Sequence, residues 1–137
     1  MNNQTKNKLS DPNIRKLFEN KNFVFLSTLM EDGSPQVSPT WVDIENDDIL
    51  INTAIGRTKH RNVTRDPRVA VAVVDVHNPY HSVVIRGKVI DQLTGDIAEK
   101  HIDKLSKKYL DKDYPYRAPG EKRVLLKIRP HSIFHMN

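Results

Sequence analysis

The sequence predicts a mainly β protein: a split antiparallel β-barrel of about six strands with two or three short helices. Three observations predict it. Runs of β-branched and aromatic residues recur between short polar turns. Asp32-Gly33 supplies strong hairpin chemistry between two such runs. Helical spacing of apolar residues appears only over short stretches. At 137 residues, with no internal repeat, low-complexity stretch or interior linker, one domain over 1–137 is expected, its polar residues 1–8 flexible.

Each element has its own local reason. Ser10 is a candidate helix cap, Pro12 suits the first turn, and Asp11 suits the positive end of the helix dipole. Ile14, Leu17 and Phe18 then form one apolar face, with Leu9 and Ile14 placed as a hydrophobic staple. Phe23 to Leu29 reads as a strand, and Gln36 to Ile44 as its return after the Glu31–Ser34 turn. Ile49 to Thr53 reads as a third strand, completing a meander. Thr58 is a candidate cap for a second helix that Pro67 terminates. Arg68 to Val76 is a buried strand that Asn78-Pro79 breaks, and Ser82 to Leu93 is a long strand with a bulge or close approach at Gly87. Ala98, Ile102, Leu105 and Tyr109 repeat at helical spacing. A loop over 111–122 leads to a last strand, Arg123 to Ile128, which Ile133-Phe134 extends.

Composition narrows the function classes. The chain has no cysteine, which excludes disulfides, thiolate metal sites and a cysteine nucleophile. No apolar run approaches the roughly 20 residues that span a bilayer, and the N-terminus does not read as a signal peptide, so a cytoplasmic protein with no membrane partner is expected. With 22 Lys+Arg against 17 Asp+Glu, the charge of +5 asks for an anionic partner.

The stretch from Asn52 to Asn62 addresses that charge. A strand ends, a turn containing Gly56 follows, and a helix opens with basic residues around its first turn. A helix start offers free N–H groups to an anion. Arg57 and Lys59 add charge-assisted donors, and Thr53 and Thr58 add hydroxyls. Arg57, Lys59, Arg61 and Arg65 place four positive charges within nine residues. A solvated basic helix is the alternative reading of the same run. His77/His81 and His131/His135 have zinc-like spacing, but in strands four residues span roughly 13 Å, so neither pair shares a metal; surface positions are expected for most histidines. No serine-hydrolase elbow is present. Trp41 is either a core residue or a stacking platform for a ring. A basic barrel binding single-stranded nucleic acid fits less well, because the basic cluster at 57–65 contains no aromatic residue.

The order of the segments carries a resemblance. Phe25-Leu26-Ser27-Thr28 leads to Asp32-Gly33-Ser34-Pro35; Val37-Ser38-Pro39-Thr40-Trp41-Val42 follows. Then come Ile51-Asn52-Thr53 with Arg57 to Asn62, Arg65-Asp66-Pro67-Arg68-Val69, and Asn78-Pro79-Tyr80 before Val84 to Val89. Over residues 10–135 the chain resembles the pyridoxamine 5'-phosphate oxidase-like, FMN-binding split-barrel superfamily. Within it, the chain most resembles the small members assigned as deazaflavin (coenzyme F-420)-dependent oxidoreductases. The resemblance implies a homodimer with cofactor at the interface, and an oxidoreductase moving hydride between cofactor and a small unsaturated substrate. It implies that Arg57, Thr58, Lys59 and Asn62 hold the cofactor phosphate. It places the ring against Ser38, Pro39, Thr40, Trp41 and Val42, near Thr53, with Tyr80 and His81 completing the partner's pocket. Related members use FMN, the deazaflavin F-420 or haem; the deazaflavin is the favoured expectation here. The resemblance names no catalytic acid, and pyridoxamine phosphate oxidase activity itself is not expected. A non-catalytic carrier or sensor of the same fold is the alternative.

Overall fold

The computed structural model describes residues 7–137. The expectation for 1–8 therefore lies outside the described residues for 1–6. Residues 7 and 8 are held in place: the Asn7 side chain donates to the Ile133 carbonyl at 3.0 Å, and the Asp11 N–H donates to the Lys8 carbonyl at 3.0 Å.

The first helix, α1 (Pro12–Glu19), is capped by Asp11 and not by Ser10: its Oδ1 accepts from the Asn13 N–H at 2.9 Å. Pro12 decides this, because the residue before a proline is driven out of the helical region and so becomes the cap. Ile14, Leu17 and Phe18 are fully buried as their spacing predicts.

Seven strands form one antiparallel sheet, one more than expected: β1 (Val24–Leu29), β2 (Pro35–Thr40), β3 (Asp43–Glu45), β4 (Asp48–Ala54), β5 (Arg68–Asp75), β6 (Asn78–Thr94) and β7 (Arg123–Met136). Their order is β2-β1-β5-β6-β7-β4-β3. The expected strand from Gln36 to Ile44 is divided at Trp41-Val42, and the expected three-stranded meander does not form. One half, β2, pairs with β1, and the other, β3, pairs with β4. These two strands are the edges of the sheet, yet two residues join them. Three residue steps reach at most about 11 Å, so the sheet is rolled until its edges nearly meet, while no ladder closes it. All seven residues of β4 are buried, as an unbroken apolar run such as Ile49-Leu50-Ile51 requires.

The strand expected over Arg68 to Val76 ends at Asp75; its turn falls at Val76-His77, ahead of Asn78-Pro79, and Asn78 already pairs with Asp75 and opens β6. The 17-residue β6 shifts register at Arg86/Gly87 and again at Val89/Asp91, and so pairs with β5 on one side and β7 on the other. Gly87 serves both predicted purposes: a Cβ there would collide with the Arg129 carbonyl oxygen.

The open seam is sealed by α3 (Asp96–Leu110). At the seam the Val42 backbone has no strand partner and is fully buried, and buried backbone groups need partners. Tyr109 and Lys108 supply them. The Val42 N–H donates to Tyr109 Oη at 3.2 Å, and Lys108 Nζ donates to the Val42 carbonyl at 2.8 Å and to the Phe18 carbonyl at 2.6 Å. Burial lowers the Lys108 pKa to about 8 and raises the Tyr109 hydroxyl to about 12. Among the described residues no helix is long and apolar enough to cross a membrane.

Candidate functional site: a cationic cleft beside Trp41

The second helix, α2 (Thr58–Arg65), starts one residue earlier than a Thr58 cap implies. Arg57 is its N-cap, with no side-chain cap hydrogen bond, and Thr58 is the first helical residue. The first-turn N–H groups are therefore left without a side-chain acceptor, which suits an anion. Gly56 adopts φ +92° in the preceding turn, and its N–H donates to His60 Nδ1 at 3.0 Å.

Beside this helix start lies a cleft of about 250 Å³. Its cationic wall is Arg57, Lys59 and Arg123, and its aromatic wall is Trp41, Tyr114 and Tyr116, with Phe23 just before β1 and Pro39 and Thr40 on β2. Asn52, Ile102 and Leu105 form the floor. Trp41 stacks on Tyr109 with centroids 5.3 Å apart and planes 5° from parallel, and meets the edge of Tyr114. It is thus fixed in place and also presented to the cleft. The Arg123 guanidinium sits 5.1 Å from the Tyr114 ring centroid.

The charge balance of the cleft is one-sided. Glu121 bridges two guanidinium groups, Arg57 Nη2 at 3.0 Å and Arg123 Nη1 at 3.1 Å. Lys59 has no carboxylate partner among the described residues. Burial lowers its pKa first, and the nearby charges of Arg57 and Arg123 lower it further. Three cations against one carboxylate leave a half-enclosed site that an anion would neutralise.

The structure brings together Pro39, Thr40, Trp41, Arg57 and Lys59 of the expected site. Ser38, before Pro39 on β2, and Thr53, after Asn52 on β4, are next to lining residues in the chain without lining the cleft themselves, and each has a buried hydroxyl that lacks a hydrogen-bond partner among the described residues. Thr58 opens α2, and Val42 lies in the core. Asn62 does not line the cleft: its amide donates to Thr28 Oγ1 at 3.0 Å and accepts from Arg65. Nor do Tyr80 and His81 line it on this chain; Tyr80 is exposed at the start of β6, and His81 is buried. His81 meets a histidine that the four-residue spacing did not pair with it, since its Nε2 lies 3.0 Å from His135 Nε2 across β6 and β7. His101 is also buried, so these two depart from the surface positions expected for most of the six histidines, which the other four keep.

Sequence reasoning missed Asn52 and Arg123. An asparagine inside the apolar run Ile51 to Ala54 was a usable signal. Arg123 gave none, because it reads as the ordinary start of a strand.

The rolled sheet and its helical seal define a split-barrel protein, and the cleft beside α2 is cationic on one wall and aromatic on the other. The chain belongs to the pyridoxamine 5'-phosphate oxidase family, whose model matches residues 10–137. Solved structures agree. An F420 reductase is 30% identical, with a TM-score of 0.78 over 88% of this chain and 94% of that one. A hypothetical protein from Mycobacterium tuberculosis is 20% identical, with a TM-score of 0.77 over 93% of this chain and 84% of that one. General stress protein 26 from Bacillus anthracis is 17% identical, with a TM-score of 0.69 over 90% and 91%. No curated protein matches.

Proposed function

We propose that the protein binds a phosphorylated flavin-type cofactor in the cleft and acts as an oxidoreductase on a small unsaturated substrate. The observation that carries this reading is the cluster of Arg57, Lys59 and Arg123, opposed by Glu121 alone and set against the Trp41–Tyr114 wall. The unpartnered Ser38 and Thr53 hydroxyls fit a polar cofactor edge. The 30% identity to an F420 reductase favours the deazaflavin over FMN. When bound, the cofactor ring supplies the hydride chemistry.

The chain's own residues then bind and orient. Arg57 and Lys59, with the first-turn N–H groups of α2, hold the phosphate. Trp41 supports the ring, and Tyr114 and Tyr116 exclude water from its edge. The protein acts as a homodimer, with the exposed Tyr80 reaching the partner's cofactor. Among the described residues no imidazole lines the cleft, and its one carboxylate, Glu121, is engaged by Arg57 and Arg123 and is not in the lining, which favours a carrier or sensor as the second reading.

Extraction and mass identification of the molecule that co-purifies from a host making both cofactors tests the first reading. F-420 is the expected result, and FMN alone would overturn the preference for the deazaflavin. Reduced cofactor mixed with a model enone, with and without protein, separates turnover from storage.

A further inference from the structure

A second opening, of about 440 Å³, lies along the other flank of α3 from the cleft, with Asp43, His101 and Lys104 in its lining. A chain of hydrogen bonds joins the two. Arg123 Nε donates to Asn52 Oδ1 at 2.9 Å. Asn52 Nδ2 donates to the Ala98 carbonyl at 3.0 Å and faces His101 Nδ1 at 3.2 Å. On its other side, His101 Nε2 lies 3.1 Å from Asp43 Oδ2, which also accepts from Lys104 Nζ at 3.0 Å. Asn52, His101 and Arg123 are only 5%, 7% and 3% exposed, so little water reaches them.

Only one arrangement of hydrogens satisfies this chain. Arginine has no acceptor, so the Asn52 oxygen must face it. The Asn52 NH₂ then faces Ala98 O and His101 Nδ1. His101 Nδ1 is therefore bare, and its Nε2–H donates to Asp43. A proton on Nδ1 would set N–H against NH₂. Turning the amide would repair that contact but would face NH₂ with the Arg123 Nε–H and oxygen with the Ala98 carbonyl. One contact is regained and two are lost, each at a buried group.

We infer that His101 is a positioning residue for the cleft: through Asn52 its bare Nδ1 holds the Arg123 guanidinium in place, and a proton there releases it and weakens anion binding. This rests on the reading of the cleft as a cofactor-phosphate site. The charged groups facing His101 are Asp43 from β3 and Lys104 from its own helix, with Glu45, Lys100 and Lys127 around the same opening. Asp43 accepts from Nε2–H in either state of the ring, so the effect of the proton falls on the Asn52 side.

The test uses the full chain with inorganic pyrophosphate as the anion probe. Calorimetry at roughly pH 8 and pH 5.5, a span over which imidazoles in general change charge, compares the parent with Lys59→Ala, His101→Asn and His101→Leu. His101→Asn keeps an acceptor at the Nδ1 position and cannot be protonated there. It should match the parent at the higher pH and lose about tenfold less affinity on acidification, the equivalent of one hydrogen bond. His101→Leu should bind about tenfold more weakly than the parent at the higher pH. The parent-to-variant ratio cancels the probe's own titration. The ¹⁵N-coupled Arg123 Nε–H resonance should persist in His101→Asn and broaden away in His101→Leu. Equal pH dependence of parent and His101→Asn, or an Arg123 signal that no variant moves, overturns the positioning role. Absence of binding to the parent, or an unchanged affinity in Lys59→Ala, overturns the cleft reading itself.

Discussion

Lys59 shows how one residue connects sequence to site. It follows Thr58 in the first turn of α2, and its ammonium is crowded by Arg57 and Arg123 with no carboxylate partner among the described residues. Losing one charge-assisted hydrogen bond costs about 1.5–3 kcal/mol, so Lys59→Ala should weaken cofactor binding roughly 10–150-fold by fluorescence titration. Arg61→Ala should do far less, because its guanidinium donates to the Gly56 carbonyl at 2.9 Å in an exposed turn. Asp11→Ala should lower stability by about 1 kcal/mol in urea unfolding, through loss of the α1 cap. The basic cluster was legible because its residues are neighbours in the chain. Arg123 was not, because its hydrogen-bond partner Asn52 lies 71 residues away and only the fold unites them.

At the scale of elements, α3 does two things that its sequence announces unequally. The repeat of Ala98, Ile102, Leu105 and Tyr109 marks a buried face. It does not say that the face closes a seam, because that depends on where the sheet splits. Turn chemistry has the same blindness. It reports that the chain reverses near Asp47, but not that β4 then takes β7 as its second neighbour in place of β2. The seal has a pH signature. Lys108 titrates near 8 in the fold against about 10.4 in an unfolded chain. The unfolded chain binds more protons across that window, so stability rises with pH through it. Tyr109 is raised to about 12 against about 10 unfolded. Its contribution is complete below about pH 10 and is lost as pH climbs toward 12. Urea midpoints should therefore peak near pH 10. Lys108→Met should remove the rising limb and Tyr109→Phe the falling one; a parent curve flat from pH 8 to 12 would refute both assignments. Gly87→Ala, facing the Arg129 carbonyl, should cost about 1–3 kcal/mol in the same assay.

At the scale of the whole molecule, one sheet face is left apolar and open. Register puts Phe25 opposite Ala72, Ala72 opposite Val84, and Val84 opposite Phe134, so a single row crosses β1, β5, β6 and β7. Phe25, Val84 and Phe134 are 45%, 44% and 47% exposed, while their sequence neighbours Val24, Leu26, Val83, Ile85 and Ile133 face the core. A contiguous exposed apolar row of this kind marks an interaction surface more often than a solvated one. A second copy can cover it, because a two-fold axis presents the same row to itself. Val84→Lys places a charge at the middle of the row while leaving the core side of β6 untouched. Sedimentation should find the parent as a dimer and the variant as a monomer, with melting temperatures within a few degrees of each other. If Tyr80 completes the partner's cleft, the monomeric variant should also lose cofactor affinity although Arg57, Lys59 and Arg123 are intact. A variant that stays dimeric would remove this face as the interface. One that is monomeric yet binds cofactor as tightly as the parent would show that a single chain holds the whole site.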